Sequence, residues 1–445
     1  MPEPRKWHSP ERMNAMSQFI TREEQGLYVH VLPTKKYKMT NIVVNLIQEL
    51  KEETATGLAL IPYILMRGSQ HYPTTEKLQL ALDDLYGASL HSTIVKKGER
   101  HVLDFTMSVP NEKFLSTEVN LFQNALDILA GVMTAPLTEN GGFLPGYVDA
   151  EKEQQRKRMA AILDDKTSYA RERCLEEMTQ GEPFAIPRLG REEQLATITP
   201  QELYNLYQEV LRTAPMHVYV IGDVDAEQTA EQLFRVFRSE GAARAVREDF
   251  QPVQVEHTPR EVKRIVDRLD VNQGKLNVGY WSNVSYASDD YAALSVFNGI
   301  FGAFPHSKLF INVREKNSLA YYASSRNDSL KGLIYVQAGV EFENFEKALA
   351  IIEEQLEEMK RGNITEQEME FTINGYVNSY KTSLDQPTTL ADIHLNGLIG
   401  GKVRSTEEMI ELLHKVTVED VVRVAQAVKL DTVYMLRDKE GDSHA

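Results

Sequence analysis

Two side chains late in the chain are of types that can donate hydrogen bonds to a carbonyl. They are Arg314 and Tyr321, in the run Ser307-Lys308-Leu309-Phe310-Ile311-Asn312-Val313-Arg314-Glu315-Lys316-Asn317-Ser318-Leu319-Ala320-Tyr321; their spacing alone does not single them out as a pair. A guanidinium offers several fixed N–H donors and a phenol one O–H donor, so the pair suits substrate carbonyls or a developing oxyanion. Neither group can activate water by itself. Spacing alone favours the plainer reading, in which Arg314, Glu315 and Lys316 are a solvated helix end and Tyr321 starts a strand. Other chemistry is sparse. The eleven histidines are His8, His30, His71, His91, His101, His217, His257, His306, His394, His414 and His444. No two lie three to five residues apart, so no helical pair of metal ligands exists. A site assembled from His71, His91 or His101 with a distant carboxylate stays open. The single cysteine, Cys174, has no recognisable Cys/His spacing around it, and no Ser/His/Asp constellation stands out.

Composition narrows the classes further. The chain has 445 residues, 42% apolar and 26% charged, enough for two or more domains with separate cores. With one cysteine, no intrachain disulfide can form, which fits a reducing compartment. The stretch Met1-Pro2-Glu3-Pro4-Arg5-Lys6-Trp7-His8 lacks a signal-peptide core, and the apolar run Leu58 to Met66 is too short to cross a bilayer. The expectation is a cytoplasmic protein with no membrane partner. A net charge of −16 argues against nucleic acid, since phosphate binding wants clustered Lys and Arg. An enclosed acidic surface would favour basic peptides, although solubility alone explains such a charge.

The elements that must position these residues occur twice in the same order. In the first half, strands are expected at Tyr28–Leu32 and Asn41–Ile47, then an apolar helix from about Gly57 with Pro62 in its first turn. Leu58, Ile61, Leu65 and Met66 make that helix part of the core. Leu103, Phe105, Met107 and Val109 alternate as a strand, and Leu115, Val119, Phe122, Leu126 and Leu129 have helical spacing. Thr199 caps a helix, and Val218–Ile221 closes as a strand. The second half offers a strand at Lys275–Trp281, a helix at Tyr291–Phe301 and an alternating strand through Ile334, Val336, Ala338 and Val340. A helix ending at Gly362 follows, then helices opened by Thr365 and Thr417, and a strand at Val433–Leu436. The reading is an α+β fold with domains at 1–240 and 261–445 joined by a polar linker at 241–260.

Gly57-Leu58-Ala59-Leu60-Ile61-Pro62-Tyr63-Ile64-Leu65-Met66-Arg67-Gly68 resembles the helix on which M16 (insulinase/pitrilysin-like) metallopeptidases carry an inverted zinc motif, His-x-x-Glu-His. Aligned on Gly57-Leu58-Ala59, the two histidines fall at Leu60 and Ile64 and the general-base glutamate at Tyr63. The family's third ligand lies in a later Glu-x-x-x-x-x-Glu-Glu run. The matching stretch Glu151–Arg158 puts Lys157 and Arg158 at the paired glutamates, and cations repel zinc. The run Ser307–Tyr321 resembles the second-domain Ser-Arg-Leu-Phe…Leu-Arg-Glu-Lys-x-Gly-Leu-Ala-Tyr, with Ser318 in place of the glycine. The resemblance covers nearly the whole chain.

It implies two homologous α/β-sandwich domains of the LuxS/MPP-like type forming half of a clam-shaped chamber. It also implies that Arg314 and Tyr321 bind substrate, and that no metal or other cofactor is held. Lost ligands beside a retained Arg/Tyr pair are similar to non-catalytic M16B subunits and to inactive paralogues of Bacillus-type bacteria. Gly302-Ala303-Phe304-Pro305-His306 lacks the glycine-rich loop of the mitochondrial processing α subunit. The function implied is a catalytically inactive subunit that binds unfolded peptide and completes the cleft of a zinc-bearing M16 partner, as a heterodimer or with a second copy as a homodimer. The alternative is a scaffold subunit of a larger assembly with no peptide-binding role.

Overall fold

A computed structural model describes residues 18–116, 119–237, 257 and 260–439. The expected linker at 241–260 lies almost wholly outside the described residues. The chain's described residues divide into two compact units, one within 18–157, 188–237 and 386–392, the other within 158–187, 257–385 and 393–439.

The first unit is built on strands β1 (Ile20–Glu24), β2 (Leu27–Pro33), β3 (Met39–Glu49), β4 (Ser89–Lys97), β5 (Arg100–Pro110) and β6 (Met216–Gly222), in the order β1-β2-β6-β3-β5-β4. The second unit uses β7 (Lys263–Arg268), β8 (Gly274–Trp281), β9 (Ala320–Asp328), β10 (Leu333–Val340) and β11 (Lys429–Arg437), in the order β9-β10-β8-β11-β7. In the first sheet β2 and β6 run parallel and every other pair is antiparallel. In the second only β7 and β11 run parallel. Read from its parallel end, β7-β11-β8-β10-β9 repeats β2-β6-β3-β5-β4 in both chain order and strand direction. The duplicated unit is therefore real at the level of topology, with β1 added to the first copy.

Eight helices matter here: α1 (Glu52–Leu65), α2 (Pro145–Asp164), α3 (Lys166–Met178), α4 (Pro200–Thr213), α5 (Tyr291–Asn298), α6 (Phe345–Lys360), α7 (Glu366–Ser383) and α8 (Val418–Ala427). The first sheet's helix-covered face is apolar: Leu90, Ile94, Leu103, Phe105, Met107, Ile42, Val44, Leu46, Val218 and Val220 are all buried. The second core has the same character, with Leu276, Val278, Phe297, Ile334, Val336 and Ile352 together. Burial of such faces is the main driving force for each unit.

Local signals hold where capping chemistry is self-contained. Thr199 with Glu202, Thr365 with Glu368 and Thr417 with Asp420 all form reciprocal capping boxes. Gly362 takes the left-handed conformation at φ +80° that ends α6. Three expectations are corrected. The apolar helix begins at Glu52, not near Gly57, so Pro62 sits in its interior. A proline there removes one helical N–H, which a core helix tolerates because packing dominates its stability. In the first half's later helix, Leu115 and Val119 lie outside the regular segment Leu121–Thr134, which Asn120 caps. In the second half, the α-helical turn stops at Asn298 and Gly299–Ala303 continues with π geometry.

Candidate functional site

α1 carries the positions where the sequence resemblance implies a zinc motif. Leu60 is 0% exposed and Ile64 3%, both within the core. The helix is buried nearly all round from Ala55 to Leu65, which is why its sequence lacks a polar stripe. Tyr63 is the exception: it is half-buried, and its hydroxyl lies 3.5 Å from Thr93 Oγ1. Aliphatic carbons in a dry core supply no lone pair for a metal, and a phenol is a poor base at neutral pH.

The later run lies on α2. Lys157 is exposed and sits 3.9 Å from Glu153 one turn earlier, an ordinary surface pair. Glu151 is 5% exposed, and Arg67 Nε, just past the end of α1, donates to its Oε1 at 2.7 Å. A guanidinium thus braces the two helices that, by the resemblance, a metal would otherwise link. His71 and His91 are exposed, and His101 is buried with its Nε2–H donating to the Arg188 carbonyl at 2.9 Å. Among the described residues, no group of three or more His, Cys, Asp or Glu is placed to hold a metal. The residues present do not fit a zinc ion.

Beside α1 runs the edge strand β4. Ser92 Oγ donates to the Pro62 carbonyl at 2.8 Å, which ties the strand to the motif helix. The β4–β5 hairpin turns over Gly98 and Glu99, so Lys97 and Arg100 close it as a hydrogen-bonded pair. Odd-numbered residues of β4 therefore bond to β5, and the backbone groups of Leu90, Ser92, Ile94 and Lys96 point to the open edge. An open edge of this kind accepts an extended peptide as a further strand.

The opposite face of this sheet was not legible from the sequence. In register across five strands lie Tyr28, His217, Asn45, Asp104 and Thr93, and next to them His30, Tyr219, Val43, Thr106 and His91. Tyr28, His217, His30 and Tyr219 stack ring on ring, and His30 Nε2 meets His217 Nδ1 at 3.0 Å. Asn45 Nδ2 donates to Asp104 at 2.7 Å, and burial raises the Asp104 carboxyl above its usual range. The only sequence signal is that polar residues take alternate places in strands that are otherwise Val- and Ile-rich.

In the second unit, Arg314 lies in the π-helical segment Phe310–Lys316, its guanidinium carbon 4.7 Å from the Phe310 ring centre and its Nε 3.8 Å from Glu315. Ser318, at φ +51°, adopts the left-handed turn that the resemblance assigns to glycine. Tyr321 stands at a bulge where the β9–β10 register shifts, and bulges re-aim side chains. It is 63% exposed, and its hydroxyl donates to Glu341 Oε1 at 2.8 Å. That hydrogen bond, and then the carboxylate charge, raise the phenol's pKa, so it stays protonated. Arg314 and Tyr321 thus have different neighbours, and both are accessible.

Two topologically matched α+β units, with an apolar helix where the resemblance puts zinc ligands, define a metallopeptidase-like fold whose described residues include no cluster that could hold a metal. Comparison with known proteins agrees. Residues 197–376 match the family model "Peptidase M16 inactive domain". The chain is 37% identical over 420 residues to a probable inactive metalloprotease of Bacillus subtilis, YmfF, covering 94% of this chain and 97% of that one. A solved conserved protein from Enterococcus faecalis is 32% identical with a TM-score of 0.85, covering 95% and 99% of the two chains. A solved M16 inactive domain from Pseudomonas fluorescens shares the fold at a TM-score of 0.78 and 16% identity, covering 95% and 98%. The chain belongs to the M16 peptidase family. Among the described residues, no helix is long and apolar enough to cross a membrane.

Proposed function

We propose that this chain is a non-catalytic M16 subunit that binds extended peptide and completes the cleft of a zinc-bearing partner subunit, in the cytoplasm. The observation that carries this reading is asymmetric loss. The motif positions Leu60 and Ile64 of α1 are core and Tyr63 is a half-buried phenol, while Arg314 and Tyr321 are exposed on a π-turn and a bulge. Peptide-holding donors survive where the water-activating groups are gone. The β4 edge beside α1 supports the same reading, because backbone pairing gives affinity with little demand on peptide sequence.

The test uses the purified full chain alone and with an M16 subunit bearing an intact His-x-x-Glu-His. Bound zinc is measured by mass spectrometry and turnover with a fluorogenic unfolded peptide. The lone chain is expected to hold no stoichiometric zinc and to cleave nothing. Within the pair, Arg314→Ala and Tyr321→Phe are each expected to lower kcat/KM roughly tenfold to a hundredfold. Zinc and turnover in the lone chain, or wild-type turnover by the substituted pair, would overturn the proposal.

A further inference from the structure

The chain segment Arg188–Arg191 is pinned to the first unit at each residue. His101 Nε2–H donates to the Arg188 carbonyl at 2.9 Å, Gln155 Nε2 donates to the Leu189 carbonyl at 2.9 Å, and the Arg191 N–H donates to Thr56 Oγ1 at 2.9 Å. Between them Gly190 sits at φ +74° so close to Thr56 that a Cβ would collide with its backbone and side chain. Arg191 Nε also pairs with Glu52 at 2.6 Å. From this fixed backbone the exposed Arg188 side chain reaches to the open edge of β4, where its Nη1 donates to the Ile94 carbonyl at 3.0 Å.

Ile94 is one of the four residues of β4, with Leu90, Ser92 and Lys96, whose backbone groups would pair with an added strand. A peptide extending along β4 past Ser92 must therefore displace the guanidinium. A hydrogen bond from a charged donor is worth more than a neutral one, but Arg188 is exposed and can rotate away without moving its anchored backbone.

We propose that Arg188 is a built-in cap on the β4 edge: it restricts an extended peptide to the Leu90–Ser92 half of the strand and opens the Ile94 half only when it swings out. This rests on the peptide-binding role proposed above. Arg188 is then a positioning and specificity residue, limiting footprint length, and it makes no contact with reacting atoms. Natural sheets blunt exposed edges with charged side chains in the same way.

The experiment measures binding of a fluorescein-labelled, net-neutral peptide of ten alternating Val and Thr residues to the full chain and to Arg188→Ala. Hydrogen exchange then follows the β4 amides in the bound state. The substitution is at an exposed side chain, and an unchanged melting curve checks that the fold is kept. The expected result is about tenfold tighter binding by Arg188→Ala, the equivalent of one lost competing hydrogen bond. Bound peptide should protect Leu90 and Ser92 in the wild type, and Ile94 as well in the variant. Binding with unchanged affinity and unchanged footprint overturns the cap alone. Absence of binding by both proteins, or protection elsewhere than β4, rejects the peptide-edge reading and the cap together.

Discussion

Replacing Leu60 and Ile64 together by histidine restores the two imidazoles of the family's zinc motif, and the structure says what should follow. Both positions are core, at 0% and 3% exposure. Removing each aliphatic side chain forfeits about 1.5–3 kcal/mol of burial. Each buried imidazole that finds no partner adds roughly 1–3 kcal/mol. The sum, about 5–12 kcal/mol, is comparable with the whole stability of an ordinary domain. Zinc should not offset it. The later run offers Lys157, a cation, and Glu151, already engaged by Arg67 at 2.7 Å. A chain of two units need not unfold in one step, so the measurement is hydrogen exchange of the α1 amides in urea, with and without zinc. The expected outcome is loss of α1 protection at low urea and no rescue by metal. Wild-type protection without zinc would refute the claim that these positions are core. Stoichiometric zinc with restored protection would refute the claim that the site is chemically closed.

Three further outcomes are expected. Arg67→Met leaves the buried Glu151 carboxylate without its guanidinium and should cost about 2–4 kcal/mol, and Arg67→Met with Glu151→Gln should recover most of that, by chemical denaturation. Ser318→Gly relieves a left-handed backbone, net of glycine's greater unfolded freedom, and should raise the stability of the second unit by roughly 0.5–1 kcal/mol in a melting experiment. His101 is held neutral because burial lowers its pKa from 6.5 to about 4. The unfolded chain then binds the extra proton, so this contribution is complete above pH 6.5 and lost as pH falls towards 4. That is about 3 kcal/mol, and His101→Gln, which keeps an N–H for the Arg188 carbonyl, should flatten the slope of stability in that window.

What could be read in advance follows from how local the physics is. Capping at Thr199, Thr365 and Thr417 depends on residues three apart, so sequence alone identifies it. Alternation along β5 and β10 is likewise local, and the duplicated topology follows from the order of such pieces. The start of α1 was misplaced because Glu52 and Glu53 are polar and the apolar run begins later, while Pro62 looked like a first-turn residue. Packing carried the helix through the proline, and no sequence window contains that packing. The stacked Tyr28, His217, His30 and Tyr219 come from two strands 187 residues apart, so no motif announces them. Arg188 acts on Ile94 across 94 residues for the same reason.

Losing a metal from a folded site is not a neutral deletion, because the carboxylates around it keep their charge. A divalent ion between two helices both links them and balances anions near the site. Here the link between α1 and α2 is made by Arg67 on Glu151, and the space at Leu60 and Ile64 is filled by carbon. Charge and volume are therefore each replaced by ordinary side chains. Without Arg67 the buried Glu151 would lose its guanidinium partner, and smaller side chains at Leu60 and Ile64 would leave a cavity, each a cost of several kcal/mol. An apolar motif face together with a cationic brace lets α1 and α2 pack stably without a metal between them.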